Sequence, residues 1–91
     1  MTITAATIPQ LRRGVRRQFD TTRNAAILMA PERVIMLDDI ADAILSECDG
    51  AATVGDIVAR LAARFEAPET EVQPDVLAFF EDLIEKGLIR C

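Results

Sequence analysis

The sequence predicts an α+β domain in which a three-stranded antiparallel sheet is followed by three helices. Three observations carry that prediction. Residues 15–37 hold three short apolar runs separated by turn residues, residues 38–87 hold three apolar stripes at helical spacing, and the two patterns do not intermix.

Val15 to Asp20 (VRRQFD) alternates weakly, with Val15 and Phe19 as its apolar positions. Thr21 to Asn24 supplies turn chemistry, and Ala25 to Met29 is a second apolar run despite two alanines, which are poor strand formers. Ala30-Pro31-Glu32 breaks the chain, because proline has no N–H for a ladder and biases its predecessor away from helix. Arg33 to Leu37 is the third run, rich in β-branched residues. The short turns between the runs predict an antiparallel meander or paired hairpins.

The helices follow. Asp38 or Asp39 is the expected N-cap of the first, with Asp42 in its first turn favouring the helix dipole. Ile40, Ala43, Ile44 and Cys48 form its apolar side beside Leu45, and Gly50 is expected to end it from the C′ position. Thr53 caps the second helix with Asp56 three residues on, where a capping box carries Glu or Gln. Its stripe is Val54, Ile57, Val58, Leu61, Ala62 and Phe65, and Ala67-Pro68 stops it. Thr70 opens the third helix, Pro74 falls within about its first turn, and Gly87 ends it. Its apolar sector covers about half the cylinder, wider than a surface helix minimally needs. Two arrangements satisfy it: all of it is core, or one edge (Val72, Val76, Phe79, Leu83) faces something other than what Leu77 and Ile84 face.

At 91 residues, 51% of them hydrophobic and 27% charged, the chain has material for one modest core. No apolar run nears the about 20 residues that span a bilayer. Residues 1–10 lack the basic start and apolar segment of a signal peptide. They are expected to be a flexible lead-in or linker remnant before a single domain at 11–91, located in the cytoplasm.

The chain contains no histidine, and Cys48 and Cys91 stand without a CxxC or a neighbouring base. Neither a disulfide framework nor a zinc site is expected, and Cys48 fits a small buried hydrophobe. Asp38-Asp39 and Glu81-Asp82 fit caps and solvated faces better than a general acid and base. There is no glycine-rich phosphate loop, nucleophile elbow or metal spacing, so no enzyme, cofactor or metal is expected.

Charge is divided along the chain. Residues 1–33 carry six arginines against two acids, net +4, and residues 34–91 carry four basic residues against thirteen acids, net −9. Strands beside three helices also describe a winged helix, which raises DNA binding. The third helix would be the recognition element, yet residues 70–87 hold five acids and one lysine, a charge repelled by phosphates. The arginines at 12, 13, 16 and 17 lie at the other end of the chain. No nucleic acid and no membrane is the expectation.

Peptide capture remains. An edge strand shows unpaired N–H and C=O groups that a guest chain can join, with pockets for alternate side chains giving selectivity. Arg33 to Leu37 offers such an edge, and apolar residues of the third helix would floor a groove beside it. The alternatives are a winged-helix DNA-binding protein and an assembly domain whose edge pairs with its own copy.

With these residues in place, the chain closely resembles the PqqD family, the small peptide chaperones of pyrroloquinoline quinone biosynthesis. The resemblance covers about residues 9–90 and rests on LRRGVR (11–16), LMAPERV (28–34), AILSECDG (43–50), TVGDIVARL (53–61) and DVLAFFEDLIEKGLI (75–89). It implies a winged-helix-like fold and a peptide recognition element for ribosomally made, modified peptides. It further implies binding of the precursor peptide PqqA by strand addition and its presentation to PqqE, a radical S-adenosylmethionine enzyme that cross-links Glu and Tyr side chains. The peptide would lie along Arg33, Val34, Ile35, Met36 and Leu37, with Val76, Phe79, Phe80 and Leu83 as helix-side contacts. On this basis Leu83→Asp is expected to weaken binding without unfolding the domain. Family members often carry Asn-Glu-Thr where this chain has Asp38-Asp39-Ile40, which places two negative charges, Asp38 among the contacts, at the groove's end. They often carry an indole or phenol where Phe19 stands. In some organisms the module is fused behind the oxidase PqqC, so association with PqqC is also implied.

Overall fold

The computed structural model describes residues 3–91. Its elements run β1 (Gln10–Leu11), β2 (Arg16–Asp20), β3 (Ala25–Ala30), β4 (Arg33–Met36), α1 (Asp39–Ser46), α2 (Val54–Arg64), α3 (Glu69–Glu85) and β5 (Ile89–Arg90). The expected α+β order of three strands and then three helices is present, with a two-stranded sheet added.

In the three-stranded sheet β3 lies between β2 and β4, both antiparallel to it, so each outer strand has one side unpaired among the described residues. Register sets Asp20 opposite Ala25 and Leu28 opposite Ile35. Asn24 closes the β2–β3 turn at φ 54°, a left-handed conformation that asparagine tolerates. The Pro31-Glu32 turn delivers β4, and Gly14, at φ +83°, lies close beneath the Pro31 ring. The small sheet pairs β1 with β5, Gln10 opposite Arg90 and Leu11 opposite Ile89. Strands of two residues have no period to read, and their meaning exists only in a pairing 80 positions apart.

The core gathers Leu28 from the central strand, Ile44 from α1, Val54 and Ile57 from α2, Val76 and Phe80 from α3, and Ile89 from β5, all fully buried. The Thr53–Asp56 capping box is complete: Thr53 Oγ1 accepts from the Asp56 N–H and Asp56 Oδ2 from the Thr53 N–H, both at 3.0 Å. At the end of α3, Gly87 takes φ +75° and the Leu88 N–H donates to the Leu83 carbonyl at 2.9 Å, which satisfies a last-turn carbonyl.

Several expectations are corrected. The helix α1 ends at Ser46 rather than near Gly50, which instead adopts φ +81° in a loop organised by Asp49, whose Oδ1 accepts from the Ala51 and Ala52 N–H groups. Ile40 and Phe65 are exposed, not core; they fall at the first turn of α1 and the C-cap of α2. Helix α3 begins at Glu69, so Pro74 lies in its second turn.

The largest difference concerns the lead-in. Residues 3–10 are packed onto the domain, while Met1 and Thr2 of that segment lie outside the described residues. Ile3 and Pro9 are buried. The first N–H groups of α2, which have no partner within the helix, donate to this segment: Val54 to the Thr7 carbonyl and Gly55 to the Ala5 carbonyl, both at 2.8 Å. Glycine suits that approach, since a Cβ at position 55 would stand 3.2 Å from the Ala5 carbonyl oxygen.

Candidate functional site

The chain passes from β4 into α1 through a single buried residue, Leu37. Leu37 donates its N–H to the Ala26 carbonyl at 3.0 Å, keeping the end of the strand against β3. Asp38 then turns the chain, with extended backbone (φ −78°, ψ 176°) and a carboxylate that accepts from the Ala41 N–H at 2.7 Å. The outer side of β4 faces α3 across a groove of about 350 Å³. At its head, the Arg33 guanidinium donates to the Lys86 carbonyl, tying the start of β4 to the C-cap of α3. A cation there also suits the negative end of the helix dipole.

The sequence-predicted site residues divide in two. Ile35, Met36, Leu37 and Asp38 line the groove from one side, Phe79 and Leu83 from the other. Arg33 sits at its head, and Val34 is exposed on the strand without lining the groove. Val76 and Phe80 are 1% and 0% exposed and belong to the core, so that side of the apolar sector of α3 packs inward. Leu83, at 2%, presents only an edge to the groove.

Other lining residues were not singled out from the sequence: Ile40, Ala41 and Ile44 from α1, and Asp75, Asp82 and Lys86 from α3. Ile40 carried a signal, an apolar residue in a helix's first turn beside its N-cap, but the stripe absorbed it as core. Lys86 Nζ pairs with Asp82 at 2.7 Å, and among the described residues Asp38 and Asp75 are the groove's carboxylates without an ion-pair partner. The groove is therefore apolar along its floor and acidic at the end where β4 stops.

The arginines collect at the opposite end. Arg12, Arg13 and Arg33 border one hollow with Gly87 and Leu88, and Arg90 joins Arg12 and Arg13 on the adjoining surface. Arg17 and Arg23 are held elsewhere, by Asp42 at 2.7 Å and Asp20 at 2.9 Å. Cys48 lies just past α1, its Sγ donating to the Pro9 carbonyl at 3.3 Å, and burial pushes the thiol up to about 11. It is not placed or poised as a nucleophile. Among the described residues, no helix is long and apolar enough to cross a membrane.

An unpaired strand edge facing an apolar helix wall can hold an extended chain by main-chain hydrogen bonds while taking alternate side chains into the groove. Known proteins share this fold. The family model described as coenzyme PQQ synthesis protein D (PqqD) matches residues 25–89, from the start of β3 to the start of β5. The PqqA binding protein of Rhodopseudomonas palustris (strain BisB5) is 42% identical over 89 residues, spanning 98% of this chain and 87% of that protein. The PqqA binding protein of Xanthomonas campestris pv. campestris (strain 8004) is 42% identical over 89 residues, spanning 98% and 97%. Among solved structures, the solution NMR structure of the PqqD truncation of Methylobacterium extorquens PqqCD represents a functional, stand-alone recognition element for ribosomally synthesised and post-translationally modified peptides. It superposes with a TM-score of 0.86 at 36% identity, covering 99% of this chain and 96% of that one. The crystal structure of PqqD from Xanthomonas campestris gives 0.63 at 41% identity, covering 99% and 100%. On sequence and architecture together, this chain belongs to the PqqD family.

Proposed function

We propose that this chain is a non-catalytic, cytoplasmic peptide chaperone. It binds the precursor peptide PqqA as an added strand on the open side of β4 and presents it to the radical S-adenosylmethionine enzyme PqqE. The observation that carries this is the groove itself: among the described residues the edge of Arg33–Met36 is unpaired on one side, and Phe79 and Leu83 wall the space beside it. Family membership, and relatives that bear the name PqqA binding protein, support the identity of the guest.

The contacts proposed are the backbone of Arg33, Val34, Ile35, Met36 and Leu37, the turn at Asp38, and the side chains of Phe79 and Leu83. Four or five main-chain bonds at a net of about 0.5–1.5 kcal/mol each, with one or two apolar anchors, support an affinity of about micromolar or somewhat better. An extended guest leaves its modifiable side chains open to an enzyme. The exposed arginines at 12, 13 and 16 suit acidic groups on the peptide or on PqqE. The PqqCD arrangement of the Methylobacterium extorquens relative supports association with PqqC as a variation on the same module.

Titration of the labelled chain with synthetic PqqA tests the groove. Amide shifts at residues 33–38 and 79–86 are expected, and changes confined to α2 with residues 33–38 silent would reject it. Presentation has a separate readout, the rate at which PqqE forms the Glu–Tyr cross-link. Equal rates with and without this chain would remove that role.

A further inference from the structure

We infer that the bound peptide continues past the end of β4 and seats one apolar side chain in a second hollow, walled by Phe65 at the end of α2 and Val72 near the start of α3. This rests on the proposal that the peptide occupies the β4–α3 groove.

The second hollow encloses about 180 Å³, room for one aliphatic or aromatic side chain. Ile40, Ile44, Leu61, Phe65, Val72 and Val76 supply most of its wall, and Ala67, Glu71 and Asp75 complete it. It adjoins the first groove, Ile40, Ile44 and Asp75 lining both. Together the two hollows follow α3 from Lys86 back to Glu71. At the helical rise that is about 22 Å, whereas the four residues of β4 extend about 13 Å. The helix wall therefore outruns the strand by about 9 Å, the length of about three extended residues.

Two large hydrophobic side chains stand exposed along that overrun, Ile40 at 58% and Phe65 at 49%. Singly each is ordinary surface. Sharing one concavity, they form a place where an apolar side chain can leave water. The competing occupant is a second copy of this chain. Adjacency to the strand edge favours the peptide, since a guest paired with β4 that passes Met36 meets Ile40, which lines both hollows. Asp75, which has no ion-pair partner among the described residues, borders both hollows and favours a neutral or basic residue where the guest crosses between them.

Calorimetric titration with synthetic PqqA, and with PqqA peptides each carrying one apolar residue cut to alanine, reads the hollow directly. Phe65→Ser, a change at a half-exposed C-cap, is expected to lower affinity about tenfold. One peptide truncation should cost the same factor against the native chain and nothing further against Phe65→Ser. Val72→Thr is the second variant, keeping shape while adding a hydroxyl, and the amides of Phe65, Ala67 and Val72 should shift on binding. Native affinity in both variants, with residues 65–72 silent and 33–38 shifting, overturns the second hollow and leaves the first groove standing. A change in self-association without a change in peptide affinity also overturns it. Silence at residues 33–38 removes the underlying proposal as well.

Discussion

Phe79 and Phe80 stand side by side on α3, ring centroids 5.8 Å apart and planes tilted by 59°, yet one ring lines the groove and the other is sealed in the core. A step of one residue turns a helix by about 100°, enough to divide neighbouring side chains between two tasks. Phe80→Ala is expected to cost about 3–5 kcal/mol, a large share of what holds a domain of this size together. Phe79→Ala is expected to cost less than about 2 kcal/mol and to weaken PqqA binding about tenfold. Urea unfolding beside calorimetric titration separates the two, and native peptide affinity in Phe79→Ala would take that ring out of the contact. Leu83→Asp, expected from the sequence to spare the fold, changes meaning: at 2% exposure it buries a carboxylate, so unfolding is the expected result.

The segment before β1 makes a second prediction. Removing residues 1–8 exposes the site of Ile3 and leaves the Val54 and Gly55 N–H groups without their carbonyl partners. Two lost hydrogen bonds and one lost apolar contact, less the entropy regained by the freed segment, give a loss of about 2–3 kcal/mol. A urea midpoint equal to that of the full chain would restore the picture of a free lead-in.

That segment also shows where legibility in the sequence stops. The strands at Arg16–Asp20, Ala25–Ala30 and Arg33–Met36 and the Thr53–Asp56 box were readable because each signal is local: alternation, a proline turn, a cap three residues from its partner. Ala5 and Thr7 bear no local mark of their task, which is to supply carbonyls to a helix about 50 residues later. Within the groove, the strand side was legible as an edge rich in β-branched residues. The helix side was not, because Val76, Phe79, Phe80 and Leu83 are equally apolar and only tertiary packing decides which of them meets solvent.

Glu66 offers a stabilising change. It follows the C-cap of α2 at φ 53°, and the Ala67 N–H beyond it donates to the Ala62 carbonyl at 3.0 Å. That left-handed position is one that glycine enters without a Cβ penalty. Glu66→Gly is expected to raise stability by about 0.5–1 kcal/mol, visible as a higher urea midpoint with unchanged slope. Destabilisation would mean that the Glu66 side chain contributes more than its backbone costs.

Acid should weaken the fold through three carboxylates. Asp20 is held below the ordinary value of 3.8 chiefly by the Arg23 backbone N–H, Asp49 by that of Ala51, and Asp56 by that of Thr53. Each favours its charged form when folded, so its contribution is complete above 3.8 and disappears as pH falls through the lower folded value. Asp56→Asn keeps an acceptor for the Thr53 N–H but not the charge. Its stability should fall less steeply with pH in that acid range than the native protein's, and an unaltered slope would clear Asp56 of the effect.

The two cysteines should react very differently. Cys48 donates to the Pro9 carbonyl, and desolvation together with the negative charge of Asp49 raises its thiol to about 11. At about pH 8 only about a thousandth of it is thiolate, the reactive form. Cys91 is exposed at the last residue. Iodoacetamide should therefore add a single label, at Cys91, to the folded chain and two labels in urea. Because Pro9 belongs to the same packed segment that caps α2, labelling of Cys48 also measures how often that segment lifts away. A chain lacking residues 1–8 should expose Cys48 to the reagent faster, and equal protection in both forms would show that the thiol is shielded by the core rather than by the strap that crosses it.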